Sequence, residues 1–145
     1  MNEPILSRSA FNYFNLITTR WADNDIYGHV NNVMYYSFFD TAVNTFLIQQ
    51  ADLDIHHGKI IGLVVDSSCR YFAPLAYPEQ ITAGVRVLHI GNRSVKYQIA
   101  LFKQDEQHAS AQGHFVHVYV DRDTRKPTPI TDHMRQALQT LSINI

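Results

Sequence analysis

From Val33 to Ile48 the chain carries a single charge, Asp40, among aliphatic, aromatic and short polar residues. Tyr35, Phe38, Phe39, Ala42 and Phe46 recur every three to four positions, the spacing of one helix face. This predicts a helix capped by Asn31 or Asn32, whose side chains can accept from an early backbone N–H, and running to about Gln50. Its other face offers Ser37, Asp40, Thr41 and Asn44 where a solvated helix would carry Lys and Glu, so the pattern predicts a helix wrapped by protein on most sides. The residues before and after it follow a different rule. Phe11–Trp21 is aromatic and β-branched and predicts a strand, as does Ile60–Phe72, closed by the turn A-P-L-A-Y-P-E. Ile81, Ala83, Val85 and Val87 alternate with polar or small residues, and Val95, Tyr97, Ile99 and Leu101 do the same after a turn at Gly91-Asn92. Phe115–Val120 is apolar on both faces apart from His117, which suits a central strand. A last helix is predicted from about Asp132 to Leu141, with Thr131 as its cap.

One strand, a long apolar helix, four strands and a short helix indicate an α+β fold with a mostly antiparallel sheet. Its physical solution is a curved sheet wrapped around the helix. No repeat or linker interrupts residues 1–145, which are expected to form a single domain. Such a sheet leaves edge strands and an incompletely covered helix, and a second copy would protect both, so a homodimer or homotetramer is expected.

Composition narrows the function classes. With 12 basic and 13 acidic residues the net charge is -1, which gives no electrostatic reason to expect nucleic acid or an anionic membrane as partner. The N-terminus lacks the basic-then-apolar pattern of a signal peptide, no run spans a bilayer, and one cysteine cannot form an internal disulfide, so the cytoplasm is the expected location. Eight Phe and eight Tyr supply material for an apolar pocket.

Candidate chemistry gathers in residues 21–32, W-A-D-N-D-I-Y-G-H-V-N-N, at the mouth of the predicted helix. Gly28 permits backbone conformations its neighbours resist. Asn31 and Asn32 stand where unpaired N–H groups and the helix dipole favour negative charge. A carboxylate facing such amides is half of an acyl-transfer site, since the acid attacks or deprotonates water while the amides hold the developing oxyanion. Local physics equally allows Asp23 and Asp25 to be simple electrostatic caps.

The run T-R-W-A-D-N-D-I-Y-G-H-V-N-N-V-M-Y-Y-S-F-F-D resembles the signature of hotdog-fold acyl-CoA thioesterases of the 4-hydroxybenzoyl-CoA thioesterase type. V-D-S-S-C-R-Y-F-A-P-L-A-Y-P-E, I-G-N-R-S-V-K-Y and D-R-D-T-R-K-P-T-P-I resemble the family's aromatic-x-x-Pro turn, later hairpin and closing loop. The resemblance implies hydrolysis of an aliphatic or aromatic acyl-CoA to free acid and CoA, without metal or cofactor, at a site on the subunit interface. It implies Asp25 as the catalytic carboxylate and the backbone N–H of Asn32 as the group polarising the thioester carbonyl, with Tyr27, Gly28, His29, Val30 and Asn31 shaping the loop between them. Another branch of these thioesterases carries its acid on the central helix, the region of Asp40, which could instead pair with Arg20 or Arg70. Arg93 and Lys96 are candidates for the CoA phosphates, and Ser67 and Ser68 for the strand facing the acyl group. The alternatives are a non-catalytic module of the same fold binding acyl-CoA or acyl-carrier protein, and a hotdog dehydratase, whose His-containing motif is not evident. His114 and His117, three apart on a predicted strand, should point to opposite faces, and His56-His57 lacks ligand partners, so no metal site is expected. Cys69 reads as a small buried residue.

Overall fold

In the computed structural model, which describes residues 3–142, the long apolar segment is helix α1, Asn32–Gln50. Asn31 caps it, its side chain accepting from the Val33 N–H. Tyr35, Phe38, Phe39, Ala42, Val43, Phe46 and Leu47 are buried, each large one contributing roughly 1.5–3 kcal/mol of burial. Around it runs one antiparallel sheet of β1 (Phe14–Thr18), β2 (Ile60–Tyr71), β3 (Gln80–Ile90), β4 (Ser94–Lys103) and β5 (Ala111–Asp121), in the order β1-β3-β4-β5-β2. The apolar positions predicted on β3 and β4 are buried against α1, and β5 lies inside the sheet between β4 and β2. This is the hotdog arrangement expected from the order of elements.

Helix α2, Asp132–Gln139, closes one end of the core with Met134 and Leu138. Thr131 Oγ1 accepts from the Met134 N–H at 3.2 Å. Thr131→Ala is therefore expected to cost about 1 kcal/mol, read as a lower midpoint of thermal unfolding with activity unchanged.

The first strand is shorter than its composition predicts. Phe11 leaves the inner face and packs against Ala100, Phe102 and Ala109 on the outer face, where Gly84 leaves room for it: a Cβ there would lie 2.7 Å from the Phe11 ring. Beyond Thr18 the chain turns through a short 3-10 helix, Trp21–Asp23. The enclosure of α1 is also incomplete, since Ser37, Asp40 and Thr41 are exposed. Asp40 pairs with neither Arg20 nor Arg70 but accepts from Asn44 Nδ2 at 3.0 Å, and partial desolvation of this exposed carboxyl raises its pKa from the ordinary value. His114 and His117 do point to opposite faces of β5: His114 meets β2 side chains on the outer face, while His117 is buried beside Tyr97 and Tyr119.

β2 decides what the sheet can present. It pairs with β5 along its length and, among the described residues, has no strand on its other side. A bulge between Val64 and Asp66 shifts the alternation by one. Gly62 and Val64 oppose Tyr119 and His117 on the inner face, whereas beyond the bulge Ser67 opposes Phe115 there and Ser68 turns outward to His114. No helix among the described residues is long and apolar enough to cross a membrane.

Candidate active site

The loop before α1 is fixed at both ends. Asp23, fully buried, accepts from the Arg20 N–H at 2.8 Å and from the Arg20 guanidinium at 2.9 and 3.2 Å, and its own carbonyl accepts from the Asn31 N–H. The first acid of the motif is thus a buckle. Asn24 Oδ1 accepts from the Tyr77 N–H, and the Val30 N–H donates to Leu75 O, tying the loop to the turn that follows β2.

Between these anchors Asp25 to His29 form a tight turn. The Asp25 N–H donates to His29 O at 2.8 Å and the Gly28 N–H to Asp25 O at 3.1 Å. Gly28 has φ +83°, with nothing near its Cβ direction, so backbone conformation rather than crowding requires glycine. Asp25 Oδ1 accepts from the Tyr27 N–H at 2.8 Å, which orients the carboxylate while leaving its second oxygen unengaged by the described residues.

Opposite stands the start of α1. The Val33 N–H is taken by Asn31 Oδ1 and the Met34 N–H by Asn31 O. The Asn32 N–H alone of these three has no acceptor among the described residues. Asp25, His29, Val30, Asn32, Tyr35, Tyr71, Phe72, Ala73 and Pro74 line one open cleft of about 420 Å³. Tyr35 and Tyr71 meet edge to face at 4.8 Å, and burial raises both phenols, so the wall stays uncharged. The cleft therefore combines one anionic oxygen, one free amide at the positive end of a helix, and an aromatic wall. That set can bind a carbonyl and attack it.

A family model described as the thioesterase-like superfamily matches residues 19–138. The chain belongs to the thioesterase-like superfamily. It is a thioester hydrolase of that group. Among solved structures, the thioesterase is similar to the PA5185 protein of Pseudomonas aeruginosa strain PAO1, with 54% identity, TM-score 0.94, and coverage of 96% of this chain and 97% of that one. A putative thioesterase, PA2801 from Pseudomonas aeruginosa, shares the fold at 24% identity and TM-score 0.81, covering 93% and 99%. A 1,4-dihydroxy-2-naphthoyl-CoA thioesterase from Synechocystis shares it at 16% identity and TM-score 0.79, covering 89% and 96%. The uncharacterized protein YsmA of Bacillus subtilis (strain 168) is 22% identical over 131 residues, 90% of this chain and 88% of that protein.

Within the thioesterase, Asp25, His29 and Asn32 meet in the cleft, with Gly28 and Asn31 supporting them from the backbone. The Tyr27 side chain points to solvent and contributes its N–H instead. Ser67 lines a separate recess with Tyr36, Ser37, Asp40, Val64 and Phe115. Ser68, offered with Ser67 on the strand facing the acyl group, lies on the outer face of the sheet: adjacent strand residues point to opposite sides, and the β2 bulge decides which of the two faces in. Arg93 stands at the end of the sheet where β2 begins and Lys96 level with Asp66 near the middle of β2, both away from Tyr71 and the cleft. Residues 71–74 and Tyr35 carry no local signal of a site in the sequence, although the aromatic-x-x-Pro turn marks where β2 ends against the helix.

Proposed function

We propose that this thioesterase hydrolyses acyl-CoA, with Asp25 as nucleophile or general base and the Asn32 N–H as the electrophile. The observation that carries this reading is the unengaged Asn32 amide sharing a cleft with a carboxylate whose other oxygen is already held. A thioester carbonyl placed between them directs its oxygen at the amide and its carbon at Asp25. As the carbon becomes tetrahedral, the helix start stabilises charge that did not exist in the ground state, so the amide accelerates the step rather than merely tightening binding. Thiolate departure then leaves either an acyl-Asp25 anhydride, opened by water, or the free acid directly. The similar fold of the 1,4-dihydroxy-2-naphthoyl-CoA thioesterase supports CoA as the carrier. The test is turnover of a panel of aliphatic and aromatic acyl-CoAs. Saturable binding of these ligands without release of free CoA would replace hydrolysis with a binding role.

The working unit we propose is a homodimer or homotetramer with the site at its interface. β2 exposes Leu63, Val64 and Val65 along twelve residues of unpaired edge, a length of apolar strand that proteins rarely leave free. Antiparallel pairing of two β2 strands about a two-fold axis brings the Ile60 end of one chain beside the Tyr71 end of the other. Arg93 of the partner subunit then approaches the cleft, which suits CoA phosphates. Sedimentation of the wild type is expected to give a dimer or larger species. Val65→Lys, placing charge on that edge, is expected to shift it toward monomer and lower acyl-CoA turnover in parallel. A wild type that sediments as monomer would remove this part of the reading.

A further inference from the structure

The outer face of the sheet carries a hydrogen-bonded chain that the cleft does not use. The bulge in β2 turns Asp66 and Ser68 onto that face, beside His114, the register partner of Ser68 on β5. Ser68 Oγ lies 2.7 Å from His114 Nδ1, and His114 Nε2 lies 2.8 Å from Asp66 Oδ2. A carboxylate only accepts, so Nε2 carries the proton facing Asp66. Nδ1 then offers its lone pair, and the Ser68 hydroxyl donates to it. An acid that fixes the tautomer, an imidazole that can take a proton and a hydroxyl aimed at it constitute a nucleophile relay, recognised by roles rather than chain order. The Asp66 side chain is 65% exposed and that of His114 25%, so reagents can reach the relay. In the dimer, extension of the sheet along the β2 edge is in plane and leaves this face open.

We propose that Ser68 is a second nucleophilic centre, one that takes acyl groups from activated aryl esters. Ser68 Oγ bonds to the carbonyl carbon while its proton passes to His114 Nδ1. The bond from that carbon to the phenol oxygen breaks, and the departing phenolate takes the proton from His114. Ser68 is left as an O-acyl ester. Water attacks that ester as His114 removes its proton, releasing the acid and returning the hydroxyl. Because Ser68 stands on a sheet face rather than in a cleft, little stabilises the oxyanion, and the acyl donor must carry a good leaving group.

The test uses the full-length Asp25→Asn chain, in which the cleft is silenced, treated separately with para-nitrophenyl acetate and with a fluorophosphonate, followed by peptide mass mapping. Both labels are expected on Ser68. His114→Gln is expected to slow phosphonylation by about a hundredfold, and Asp66→Asn to slow it less, in proteins whose circular dichroism is unchanged. Acetylation confined to lysines with no phosphonyl group on Ser68 overturns the proposal, as does a Ser68 labelling rate that His114→Gln and Asp66→Asn both leave unaltered. Neither result bears on acyl-CoA turnover by the wild type, so this proposal and the Asp25 reading fail separately.

Discussion

Asp25→Asn is expected to lower kcat for acyl-CoA hydrolysis by on the order of 10³-fold or more, with KM nearly unchanged. The amide is close to isosteric, and its carbonyl oxygen can still accept from the Tyr27 N–H that holds Asp25 Oδ1 at 2.8 Å, so the turn keeps its shape. What disappears is the anionic oxygen. An amide cannot form the anhydride, nor can it take a proton from water, and a loss of about 10³ corresponds to roughly 4 kcal/mol of transition-state stabilisation. Asp40→Asn gives the contrast. Asp40 lines a different recess and accepts from Asn44, a bond the amide carbonyl also accepts, so turnover should stay within about tenfold of wild type. Steady-state kinetics on the two variants, with thermal unfolding measured alongside, decides between them. Full activity in Asp25→Asn and collapse in Asp40→Asn would move catalysis from the helix start to its middle.

The contrast is informative because the two acids differ in what faces them. Asp25 shares its cleft with an amide that lacks an acceptor among the described residues. Asp40 stands beside hydroxyls and aromatic rings, two turns along the helix, where backbone N–H groups are consumed by the helix itself. A carboxylate can attack from either place, but only the first has a partner for the oxygen that becomes charged.

The legibility of the chain follows from which constraints are local. α1 could be read to its last residue because burial against a sheet demands apolar residues at helical spacing and because Asn31 supplies the cap. β3 and β4 could be read because over most of their length inner apolar positions alternate with polar or small ones, which writes alternation into the sequence. Phe11 misleads for a tertiary reason: its aromatic ring serves a small apolar cluster on the outer face, and nothing within residues 11–21 reports the missing side chain at Gly84 that makes room for it. At the site, Asp25 and Asn32 stand in one short motif and were legible together. Tyr71 to Pro74 come from a segment some forty residues later, brought to the cleft by hydrogen bonds such as Val30 N–H to Leu75 O that leave no periodic trace. Ser67 and Ser68, offered together, cannot both face the acyl group, because neighbours on a strand point to opposite sides. Strand alternation is an inference about parity, and one extra residue at Val65 inverts it for every position that follows.

Burial sets a second large effect, on stability rather than turnover. His117 is 2% exposed, its Nδ1 is 3.4 Å from the Tyr119 hydroxyl, and its Nε2 has no partner among the described residues. Desolvation pushes its pKa from 6.5 down to about 4. The groups packed on it, Tyr97 and Tyr119, have phenols raised by burial and stay neutral, so no charge compensates a protonated ring. Above pH 6.5 the imidazole is neutral both folded and unfolded and pH has no leverage through it. As pH falls from 6.5 to about 4 the unfolded chain takes up a proton that the folded chain refuses, so stability drops across that window, by about 3 kcal/mol in total. Below about 4 both states are protonated and the loss is constant. His117→Phe keeps the volume and removes the titration; the 2.8 Å Tyr97–Tyr119 hydroxyl bond remains, and the lost 3.4 Å contact to the ring lowers stability by the same amount at every pH. Denaturant unfolding at several pH values should therefore show the wild-type midpoint falling between pH 6.5 and 4 and the variant's falling less, the difference growing toward acid. Parallel curves for the two proteins would mean that the ring is protonated as readily inside the fold as outside it.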